Sequence, residues 1–67
     1  MSFHFPLPSN TNGFSIVMTL GASLLDVDYN NIGIHEENGI DFVDVVLNDI
    51  TASQKVIDAF YTALADA

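Results

Sequence analysis

Two hairpin signals dominate the middle of this chain, and together they set the register of most of what lies around them. Asn30-Asn31 and Asn38-Gly39 both suit a two-residue type I′ turn, in which each central residue takes a positive φ. Closing both turns pairs Tyr29 with Ile32, Val27 with Ile34, Ile34 with Val43 and Ile32 with Val45. One sheet face then collects Leu25, Val27, Tyr29, Ile32, Ile34, Val43, Val45 and Leu47, with Glu36 and Asp41 near the hairpin tip. A one-residue slip would scatter this apolar set across both faces.

The flanks are read from periodicity. Phe14, Ile16, Met18 and Leu20 alternate with Ser15, Val17 and Thr19, the pattern of a half-buried strand. Ahead of it, Met1–Pro8 places Phe3, Phe5 and Leu7 against His4, Pro6 and Pro8. Two prolines exclude a helix or a central strand, so residues 1–13 read as an extended arm and a polar loop. At the other end, Thr51-Ala-Ser-Gln54 has the form of a capping box, and Val56, Ile57, Phe60, Ala63 and Leu64 recur at helical spacing. The expected fold is α+β in a single domain of residues 1–67. The arm leads into an antiparallel meander over 14–49, with strands near 14–20, 24–29, 32–37 and 40–47. One C-terminal helix, near 52–65 within 51–66, packs on the apolar face.

A chain of 67 residues buries a modest fraction of its surface, and without cysteine it has neither disulfides nor thiolate metal sites. Small domains of this kind rely on tight packing or on a partner subunit. Nine carboxylates face one base, Lys55, for a net charge of -8. Seven of the nine lie between Asp26 and Asp49. That balance excludes direct binding to nucleic acid through phosphates and disfavours an anionic membrane. Basic protein surfaces and cations are the favoured partners, and solubility alone accounts for the surplus equally well. The amino terminus lacks the basic region of a signal peptide, so a cytoplasmic location, or carriage in a particle, is expected.

The register that builds the core also places Asp26, Asp28, His35 and Asp44 on the opposite face, with Gly33 leaving a notch between Asp28 and Asp44. Three carboxylates and an imidazole can hold a hard or borderline cation, but a solvated polar face with His35 shielding its neighbours is the more ordinary reading. Asp26–Glu37 carries Asp26, Asp28, Asn30 and Glu37 at EF-hand ligand positions. However, Asn31 stands where that loop needs glycine, and the preceding segment reads as strand. His4 reads as a filler between two phenylalanines.

No nucleophile–base pair, phosphate loop or free oxyanion donor is present, so neither an enzyme nor a cofactor is expected. The arm, through Phe3, Phe5 and Leu7, suits strapping across a neighbour, or folding back to plug its own core beside Phe14–Leu20. Three functions fit these features. The first is a structural or interaction subunit of a homo-oligomer or of a larger assembly such as a viral particle. The second is an acidic mimic of nucleic acid, docking through Asp26, Asp28 and Asp44 on a basic groove. The third is a small cation-binding module.

Overall fold

A computed structural model describes all residues, Met1–Ala67. The chain runs β1 (Ser2–Pro6), α1 (Gly13–Ser23), β2 (Tyr29–Glu37), β3 (Ile40–Leu47), a 3₁₀ turn (Ile50–Ala52) and α2 (Ser53–Ala65). It is an α+β fold with three strands in one sheet, ordered β1-β3-β2 with both pairings antiparallel, and two helices.

The Asn38-Gly39 turn forms as its sequence requires. Asn38 and Gly39 take φ of 54° and 80°, and Glu37 pairs with Ile40 to close the hairpin. From there the register runs as expected, with Ile34 opposite Val43 and Ile32 opposite Val45. Val43, Val45 and Leu47 point into the core, while Ile32 and Tyr29 pack at its margin.

The expected four-strand meander is corrected in two places. The first is the Asn30-Asn31 turn. Neither residue takes a positive φ, and Asn30 instead marks a register shift between Tyr29 and Asn31, a β-bulge within β2. No strand spans 24–28, and Leu25 lies exposed in the turn that follows α1.

The second correction is Phe14–Leu20, which is helix. Its apolar run satisfies both periods, because Ile16, Leu20 and Leu24 also fall at four-residue spacing, and those three are the ones buried. Asn12 decides the matter by capping α1, its side-chain oxygen accepting from the backbone N–H groups of Phe14 and Ser15. Topology agrees: β1 and β2 both run antiparallel to β3, so they are parallel to each other and need a crossover, which α1 supplies.

The arm is β1, paired with β3 along Ser2–Pro6 and extended by a Leu7 N–H bond to the Asp41 carbonyl at 2.8 Å. Pro6 ends this edge strand, where a missing donor is tolerated, and Pro8 lies beyond it. Phe5 and Leu7 are buried, and Phe5 stacks on Phe60 of α2 with ring centroids 4.1 Å apart. Both helices therefore cover one sheet face, and the other faces outward.

Helix α2 carries the expected stripe, with Val56, Phe60 and Ala63 buried. Its expected capping box does not form. Asp49 caps the preceding 3₁₀ turn instead, accepting from the Thr51 backbone N–H and from its hydroxyl at 3.0 and 2.6 Å. Those bonds hold the Asp49 carboxyl below its ordinary range.

Candidate functional site

The outward sheet face is organised around Asp44, at the middle of the central strand. His4 of β1 is its direct partner on one side and Gly33 of β2 on the other. Because Gly33 has no side chain, His35, two residues along β2, leans across the gap. Each imidazole then takes one carboxylate oxygen: His4 Nδ1 lies 2.6 Å from Asp44 Oδ1, and His35 Nδ1 bonds Asp44 Oδ2. The two rings are nearly perpendicular, with centroids 6.0 Å apart.

Two further side chains hold His35 in place. Its ring stacks on Phe42, its direct cross-strand partner, at 5.1 Å. Its Nε2 faces Glu37 Oε2 at 3.3 Å. Hydrogen bonding to Asp44 and then to Glu37, with the charge of both carboxylates, raises the His35 imidazole above its ordinary value against the opposing effect of desolvation. Desolvation pushes Asp44 upward, but the hydrogen bonds from both histidines outweigh it and hold the carboxyl below its usual range.

The structure thus brings His35 and Asp44 together, as the register implies, and adds His4, which the sequence reading set aside as filler. Asp26 and Asp28 stand elsewhere. With no strand at 24–28, nothing carries Asp26 across from His35. Its carboxylate instead grips Lys55 of α2 at 2.6 and 2.8 Å, which lowers its protonation range. Asp28 accepts from the Asn48 side-chain amide at 3.1 Å. The signal for His4 was present in the alternation of the arm, which sets it opposite Phe3 and Phe5. Finding it required β1 to be paired with β3 rather than with Phe14–Leu20.

A different surface lies on α1. Its inner side buries Ile16 and Leu20, while Phe14 and Met18 on its outer side are each 76% exposed, and Leu25 just beyond its end is 84% exposed. At helical spacing, Gly21 and Ala22 fall on the same side. The segment before Asp26 contains no charged side chain apart from His4 when protonated.

The fold defines a small two-layer α+β domain, with helices on one sheet face and a histidine–aspartate cluster on the other. No family model, curated protein or solved structure matches the chain.

Proposed function

We propose that this chain is a non-enzymatic structural subunit that associates with a second copy of itself through the outer face of α1. One observation carries the reading: Phe14 and Met18 stand exposed on α1, a helix without a charged residue, and Leu25 just beyond its end is exposed as well. Ser15, Thr19 and Ser23 line a polar side of α1, but the chain's own sheet and α2 cover only its Ile16–Leu20 side and leave Phe14 and Met18 bare.

Charge favours a second copy as the occupant. On a chain of net charge -8, most contacts between copies set carboxylate against carboxylate. The α1 face avoids this, and the acid adjoining it, Asp26, is neutralised by the chain's single lysine. A two-fold pairing sets this face of one copy against the same face of the other, so one apolar patch serves both.

The arm has no share in this contact. Phe5 and Leu7 are committed to the chain's own core, and Phe3 packs against it.

Sedimentation equilibrium tests the reading. The wild-type chain should be a dimer, and Met18→Glu should be a monomer with unchanged circular dichroism. Leu25→Lys provides a second disruption outside the helix. A wild-type chain that stays monomeric at high concentration, or a dimer indifferent to both changes, would mean that α1 is not the contact surface.

A further inference from the structure

We propose that His4, His35 and Asp44 form a binding site for one divalent cation of the zinc class. The inference is independent of self-association, because the cluster lies on the sheet face away from the helices.

Donor chemistry selects the ion. Two imidazoles and one carboxylate suit a borderline metal such as zinc, whereas calcium takes six to eight oxygens and magnesium an octahedral oxygen shell. The three donor atoms already lie within 4.8 Å of one another. A tetrahedral zinc with bonds of about 2.0–2.2 Å sets its ligand atoms about 3.4 Å apart, so the ion enters as each imidazole nitrogen opens from its Asp44 oxygen, by side-chain rotation on a fixed backbone.

The backbone is well suited to hold them. The ligands come from three adjacent strands whose hydrogen bonds set their spacing, and Asp44 sits on the central one. The cation takes the place of the protons now shared between the two Nδ1 atoms and the Asp44 oxygens. Three protein ligands leave a position open to water.

Glu37 gives the arrangement its second, separate support. With His35 Nδ1 turned toward Asp44, Nε2 faces the Glu37 carboxylate. A metal-bound imidazole whose other nitrogen donates to a carboxylate is the usual way in which such a ring is oriented and its basicity raised. The stacked Phe42 ring limits the remaining rotation of His35. A hydrogen-bonded clasp that merely fastens β1 to the sheet needs His4 and Asp44, and leaves His35, Glu37 and Phe42 without a part.

The test uses the full chain without an affinity tag, stripped of metal and titrated with zinc alone by calorimetry and by imidazole NMR. One ion per chain should bind, with the signals of His4 and His35 moving together and the melting temperature rising with free zinc. His4→Gln, His35→Gln and Asp44→Asn should each weaken binding about tenfold or more, and Glu37→Gln about tenfold. Calcium should leave both imidazoles unmoved. The proposal fails if no saturable binding occurs, or if zinc binding persists unchanged in His4→Gln and Asp44→Asn.

Discussion

His4 and Asp44 are direct partners across the β1–β3 ladder, and their side chains meet at 2.6 Å on the open face of the sheet. One residue further along, Phe5 opposite Val43 turns the other way and is buried against Phe60. The same strand thus contributes a polar contact to one face and an apolar one to the other, and the two differ greatly in weight. His4 is well exposed, and exposed ion pairs contribute little. Phe60→Ala should cost about 3–5 kcal/mol, comparable with the whole stability of a domain this small. Urea unfolding should therefore find Phe60→Ala largely unfolded in buffer and His4→Ala folded. A folded, cooperative Phe60→Ala variant would show that the Phe5–Phe60 stack is not the centre of the core.

The open face also makes stability depend on pH in the metal-free protein. His35 is faced by His4 from β1, by Asp44 and Phe42 from β3, and by Glu37 on its own strand. Its folded-state pKa is raised, so its contribution is complete below the ordinary imidazole value of 6.5 and is lost as pH rises through the folded value. Asp44 is lowered, so its contribution is present above 3.8 and is lost as pH falls through its folded value. Stability in chelator should be greatest between about pH 4 and 6.5 and decline on both sides. His35→Gln should flatten the alkaline decline. An unchanged alkaline limb in that variant would remove His35 as its source.

Salt separates the proposed dimer from an electrostatic complex. Copies of an acidic chain repel, and at 0.15 M the screening length is only about 8 Å. Adding salt should therefore strengthen self-association through α1, whereas docking on a basic partner would weaken. Lys55→Gln should expose the Asp26 charge beside Leu25 and weaken the dimer, most clearly at low salt. Sedimentation at two ionic strengths reads both effects. A dimer that dissociates as salt rises would point to an ionic interface.

How far the sequence could be read depended on whether a local signal had a competitor. Asn38-Gly39 had none, and it fixed the β2–β3 register, including His35 and Asp44 on one face. The segment Phe14–Leu20 satisfied two periods at once, and only the Asn12 cap broke the tie. Asn30-Asn31 offered a turn for which no partner strand existed, since residues 24–28 are spent on the turn that leaves α1. That error removed Asp26 and Asp28 from the site, and the strand assigned to Phe14–Leu20 concealed the true partner of the arm and with it His4. The exposed face of α1 was beyond reach for the same reason: a segment read as strand offers no helical side.

The competition between the two turns can be tested directly. Gly39 sits at φ of 80°, where a β-carbon clashes with the backbone, and Asn38 at 54° is of a type that tolerates this region. Open space surrounds Gly39, so the penalty of Gly39→Ala is conformational rather than steric crowding by neighbours. It should cost about 1–2 kcal/mol. Asn31 lies in the bulged part of β2 without a positive φ, exposed to solvent, and Asn31→Ala should cost much less. Urea unfolding of the two variants side by side gives the ranking. If Asn31→Ala were the more damaging, the hairpin would close at Asn30-Asn31, and the pairing that sets His35 beside Asp44 would have to be redrawn.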